Sequence, residues 1–212
     1  MNTKSALLTS LGFILAALAV TALFWSRLPE HVPTHWNLRG EVDGTMSPGG
    51  FVGFFLGMAG LLTVVLFALP KISPKGFDME EWRPVYNLII VVVIGMFSAV
   101  HMAIAVGAIG TKFDLTRVVI AVILAGLGVM GNLLGKVKRN FWVGVRTPWT
   151  LASEQVWTAT HRLAARLTFG AGLIGALAIL AGVPPMAVFS AVMAVILYPV
   201  LYSYLAYRRI HT

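Results

Sequence analysis

Six apolar runs, each long enough to cross a lipid bilayer, govern what this 212-residue chain can fold into. A span needs about 20 predominantly apolar residues. The runs lie at roughly 6–26, 52–70, 85–109, 115–135, 165–183 and 186–207, with ends good to about 2–4 residues. The hydrocarbon layer offers no water, so every backbone polar group must bond within its own segment or a closed barrel. Runs this long and continuous are therefore helices. Charge is correspondingly scarce, at 11% of residues, against about 25% in a soluble domain.

The net charge of +8 is explained by insertion topology before any acidic partner is invoked. Number the segments between runs alternately. Four of the 16 Lys and Arg residues (Arg27, Arg39, Lys112 and Arg117) fall in one set, and the other 12 in the opposite set. Basic residues accumulate on the cytoplasmic side, so both termini are expected there. No direct nucleic-acid contact is called for, although the basic loops suit anionic lipid headgroups. Residues 2–22 resemble a signal peptide, but the apolar run exceeds the usual 7–15 residues or so. It is read as an uncleaved first span. The chain has no cysteine, which excludes disulfides and thiolate chemistry.

Two polar inserts interrupt this plan. The outer one, residues 27–50, contains Pro29, Pro33 and Pro48, which exclude a continuous helix. Asp43-Gly44 predicts a hairpin turn. The inner one, residues 136–164, is expected to be helical in part. Thr147-Pro148 fits a helix cap followed by proline at the first helical position, and Ser153 is a second capping residue. A helix from either start would run through Glu154, Trp157 and His161 into the fifth span. Trp157 and His161, four residues apart, would share a face. The expected geometry is a half-helix at the inner membrane surface with its tryptophans at the interface. Glycines Gly126, Gly128, Gly131 and Gly135 in the fourth span, and Gly170, Gly172 and Gly175 in the fifth, read as close helix packing. Pro199 is expected to kink the sixth span.

The inner stretch, GNLLGKVKRNFWVGVRTPWTLASEQVWTATHR (residues 131–162), resembles the signature of the SdpI family of bacterial membrane immunity proteins. The outer LPEHVPTHWNLRGEVDG (residues 28–44) resembles the DUF1648 domain often found ahead of it. The chain departs from the family pattern at Arg139, where proline is usual, at Val145, where isoleucine is usual, and near Ala165, where glycine is usual. The resemblance implies protection against a membrane-active, sporulation-delaying peptide toxin. For some members it also implies recruitment of a cytoplasmic repressor to the membrane. It divides the chain into a DUF1648-like part, 1–84, and an SdpI-like part, 85–212.

The residue chemistry offers other readings beside this resemblance. Ser153, Glu154, Thr158 and His161 have the types a hydrolase uses. No nucleophile elbow or glycine-rich phosphate loop accompanies them, and no catalytic residue is assigned. His31 and His35 are separated by Pro33, which breaks the helix that would converge them, so no metal or cofactor is assigned. His101 stands in the third span without a carboxylate in any neighbouring span. It reads as a histidine bonded to another helix. Asn87 and Asn132, near span ends, are expected to bond between helices.

A binding role suits the inserts better. Outside, His35, Trp36, Asn37, Glu41 and Asp43 offer an aromatic anchor and two carboxylates to a cationic peptide. Inside, Asn132, Asn140, Arg146, Thr147, Trp149, Thr150, Ser153, Trp157, His161 and Arg162 offer a surface for a protein or lipid headgroup, rich in hot-spot residue types. The bland alternative is that the same inner residues pin the insert in place. The expected architecture is an all-α integral membrane protein of six spans. The expected function is toxin immunity. Transport or lipid handling, or an enzyme built on the inner insert, are the alternatives.

Overall fold

The computed structural model describes residues 1–37, 39–110 and 113–211. Lys112 of the charge argument and Leu38 of the outer motif lie outside the described residues. Six helices are long and apolar enough to cross a membrane. They are α1 (Thr3–Phe24), α2 (Pro48–Ala68), α3 (Arg83–Gly107), α4 (Leu115–Leu134), α6 (Glu154–Leu180) and α7 (Pro185–His211). A five-residue helix, α5 (Pro148–Ala152), lies in the insert before α6. A two-stranded antiparallel sheet, β1 (Val32–Trp36) with β2 (Val42–Met46), fills the first insert.

Helix starts follow the capping chemistry of the sequence. The Asn2, Ser47 and Asp114 side chains accept backbone N–H groups at the starts of α1, α2 and α4. Large apolar side chains such as Leu15, Leu23, Val64 and Leu201 project outward. In a membrane such positions face lipid.

The packing runs α1 on α3, α3 on α4, α4 on α6 and α6 on α7. One core joins Ile14, Phe55, Tyr86 and Ile90 to Leu133, Val137 and Trp157, so both sequence parts share it. A second core lies between α4, α6 and α7 around Leu124, Ile179 and Val192.

The glycine reading divides by position. A Cβ on Gly131 would lie 2.5 Å from the Phe169 nitrogen, and one on Gly172 would lie 2.5 Å from the Gly128 nitrogen. These glycines let the backbones of α4 and α6 touch. Gly126 faces Met96 of α3 instead, and a Cβ on Gly170 would meet nothing within 4 Å.

His101 is buried between two rings, stacked on Phe51 at 4.1 Å and Phe55 at 4.0 Å. Its Nε2 lies 2.9 Å from Thr21 Oγ1 on α1. Asn87 donates to Met1 O at 3.0 Å and ties α3 to the chain start. Asn132 is exposed on α4 and makes no bond between helices among the described residues. Helix α7 continues through Pro199 from Pro185 to His211.

The hairpin turn is displaced from the expected Asp43-Gly44. That pair lies inside β2, where Gly44 is opposite His35. The chain reverses between Asn37 and Glu41. Asn37 Oδ1 accepts the N–H groups of Arg39 (2.8 Å) and Glu41 (3.1 Å), and Gly40 takes φ +83°. An Asx-type turn closed by glycine has outcompeted the Asp-Gly signal. The sheet packs through Val32 and Trp36 on Phe51, Ile104 and Val119, at the end of the bundle where α3 ends and α4 begins. Thr116 Oγ1 donates to Gly40 O at 3.2 Å and ties the turn to α4.

Candidate functional site

The second insert is an ordered block at the opposite end of the bundle, built from three interlocking pieces. The first is the turn after α4. Asn140 is fully buried and uses all its hydrogen-bonding capacity. Its Oδ1 accepts the N–H groups of Trp142 and Val143, both at 2.7 Å. Its amide donates to Lys138 O at 2.9 Å and Val143 O at 3.1 Å. Arg139 donates to Leu151 O at 2.8 Å and lies over the Phe77 ring at 5.7 Å. The residue that departs from the family pattern thus fastens this turn to α5.

The second piece is α5. Thr147 is its cap, Pro148 follows it, and Thr150 completes a reciprocal capping box. The Thr150 hydroxyl accepts the Thr147 N–H at 2.9 Å and donates to Val145 O at 2.8 Å. The Thr147 hydroxyl meets Ser203 Oγ of α7 at 3.1 Å. Either hydroxyl can be the donor in this contact, since Ser203 also donates to Val200 O and Thr147 to Thr150 Oγ1. Trp149 packs on Tyr204, ring centroids 5.1 Å apart.

The third piece is the start of α6. Ser153 is extended (φ −136°, ψ 124°), which ends α5, and its side chain caps α6. Both expected helix starts are therefore used, one after the other. Trp157 and His161 share the face as expected and stack at 3.9 Å. The tryptophan does not sit at a lipid interface. It is buried and donates from Nε1 to Val137 O at 2.8 Å. The half-helix expected at the membrane surface is instead the five-residue α5 plus the first turns of a spanning helix.

His161 joins the start of α6 to the loop that leads into α5. Its Nδ1 lies 2.9 Å from Trp157 O, and a carbonyl can only accept. Its Nε2 lies 3.0 Å from the Val145 nitrogen, whose N–H can only donate. The ring proton is thereby placed on Nδ1, with the Nε2 lone pair occupied. No ring nitrogen is left to serve as a base for Ser153 or Thr158. Gly144, φ +108°, lies against the same Nε2. The sequence shows Arg139 as a departure from the family pattern but gives it no role at the site, and Gly144 is not among the expected site residues. A glycine directly before the Val-Arg-Thr-Pro run was the available signal for the second.

The remaining inner residues divide. Arg146 is exposed and donates to Phe141 O at 2.7 Å. Arg162 is exposed one residue past the histidine, and Asn132 lies exposed on α4 outside the network. The block is joined to the segment before α3 through Lys138–Glu81 at 3.3 Å and Phe77–Phe141 at 6.1 Å. It thus gathers the segment 69–82 and the end of α7 at one end of the bundle.

The outer residues form two pairs. His35 Nδ1 meets Asp43 Oδ1 at 2.5 Å, and Asn37 Nδ2 donates to Glu41 Oε2 at 2.8 Å. His35, Glu41 and Asp43 are exposed, while Trp36 turns toward the bundle and packs in its core. Among the described residues no three His, Asp or Glu side chains stand close enough to hold a metal ion.

Residues 136–203 match the SdpI/YfhL protein family, and residues 12–60 match a domain of unknown function, DUF1648. The immunity protein SdpI of Bacillus subtilis (strain 168) is 22% identical over 174 residues, covering 82% of this chain and 78% of that protein. No solved structure matches. Six apolar helices, an insert block within the first match and a hairpin within the second make this a multi-pass bacterial membrane protein whose residues 136–203 match the SdpI/YfhL family.

Proposed function

We propose that this protein confers immunity to a membrane-active peptide toxin by binding it. The observation that carries the reading is the length of the similarity to an immunity protein, which covers 82% of the chain. The structure offers a matching division of labour. The basic end with the insert faces the cytoplasm. The hairpin end faces outward and presents the Glu41 and Asp43 carboxylates to an arriving cationic peptide.

The insert is the second half of the device. Its buried residues, Asn140, Thr150, Trp157 and His161, fix a rigid platform. Its exposed residues, Arg146 and Arg162, are the contacts left for a ligand or a cytoplasmic repressor. A platform tied to α4, α6 and α7 moves when those helices shift. Toxin held between the helices can thus be reported at the cytoplasmic surface.

Binding of labelled sporulation-delaying peptide to the full-length protein in lipid nanodiscs tests this. Saturable binding at a stoichiometry of one is expected. Binding no greater than to empty nanodiscs would contradict it.

A further inference from the structure

A groove of about 500 Å³ runs between α6 and α7, starting one turn past Arg162. Its wall on α6 includes Arg166, Gly170 and Ala171, and its wall on α7 includes Ala187, Ala191 and Val195. The lining is apolar except at Arg166. Small side chains on both helices leave the space open. A Cβ on Gly170 would meet nothing within 4 Å.

Arg166 makes this more than an uncovered apolar face. It lies one turn past Arg162, where the insert ends and the apolar run of α6 begins, and so at the cytoplasmic edge of the span. It is exposed and has no hydrogen bond or ion pair among the described residues. An unpaired arginine at headgroup level attracts an anionic lipid phosphate. Arg162, one turn earlier and also exposed, adds a second positive charge toward the basic end.

Volume and length choose the occupant. From Arg166 to Ala178 the groove follows 12 residues, about 18 Å. One acyl chain crosses half of the hydrocarbon layer, about 15 Å. A peptide helix is about 10 Å across, so one of that length would fill roughly 1,400 Å³. The groove cannot enclose one, whereas it can take a single chain between the helices. We infer that the α6–α7 groove is a binding site for an anionic phospholipid, with one acyl chain between the helices and the phosphate on Arg166. The site does not depend on the immunity reading.

The test is native mass spectrometry of the delipidated full-length protein titrated with phosphatidylglycerol or with diacylglycerol, which has the same chains and no phosphate. One phosphatidylglycerol should be retained, at least about fivefold more tightly than diacylglycerol, as one arginine contact provides. Arg166→Gln should remove that preference. Gly170→Leu, which fills the groove, should reduce retention of both lipids. Equal retention of the two lipids by the wild type would overturn the assignment, whatever the fate of the variants. So would an Arg166→Gln protein with undiminished preference. A dimer lost on Gly170→Leu would assign the groove to a second copy of the chain instead.

Discussion

Gly144 and His161 are fitted to one another: a Cβ at position 144 would collide with the imidazole Nε2 that receives the Val145 N–H. Position 144 also takes φ +108°, which L side chains rarely adopt. Gly144→Ala should therefore cost more than the roughly 1–2 kcal/mol of left-handed strain alone. A lower thermal midpoint in detergent checks this. Gly60→Ala, where a Cβ meets nothing within 4 Å, should leave the midpoint unchanged or slightly raised.

Replacing His161 separates shape from chemistry. His161→Leu strands the Val145 N–H in a buried place and should cost about 1–3 kcal/mol. His161→Gln keeps a side-chain acceptor on a similar reach, so it should be milder and should retain toxin protection. A protection assay in which the glutamine variant is dead at normal membrane abundance would point to chemistry at the imidazole.

Asn140→Asp is nearly isosteric, yet it removes both N–H donations and places a carboxylate at a fully buried position facing two carbonyls. Breaking such a network should cost about 3 kcal/mol or more. The expected readout is faster proteolysis within residues 136–147 and a sharp fall in membrane abundance.

The contact between α4 and α6 gives a packing prediction. Gly131→Ala would press a methyl group against the backbone of Thr168 and Phe169, and overpacking of this kind costs about 1–3 kcal/mol. Gly170→Ala on the open face of α6 should be tolerated. Paired thermal scans of the two variants check the difference.

The sequence showed the spans because lipid imposes a simple rule on length and hydropathy. The start at Thr147-Pro148 was equally legible, since caps act within four residues. The hairpin turn was not, because two local signals competed. Asn37 with Gly40 prevailed over Asp43-Gly44, and the contact from Thr116 to Gly40 that favours it comes from 76 residues away. The site was legible in its residue types but not in their roles. Asn140 and Thr150 look like ligand contacts in a string of letters. Only the fold shows that their polar atoms are consumed by neighbouring backbone, while Arg146 and Arg162 remain at the surface. Gly144 escaped notice because its partner lies 17 residues away.

Survival of a toxin-sensitive bacterium expressing the protein, challenged with the sporulation-delaying peptide, tests the central claim most directly. Wild type and Arg146→Ala should be compared at matched membrane abundance. The account predicts survival with the wild type and its loss with the variant, because Arg146 is an exposed contact on an otherwise intact platform. Death of well-expressed wild-type cells at the same toxin concentration as cells without the protein would contradict it.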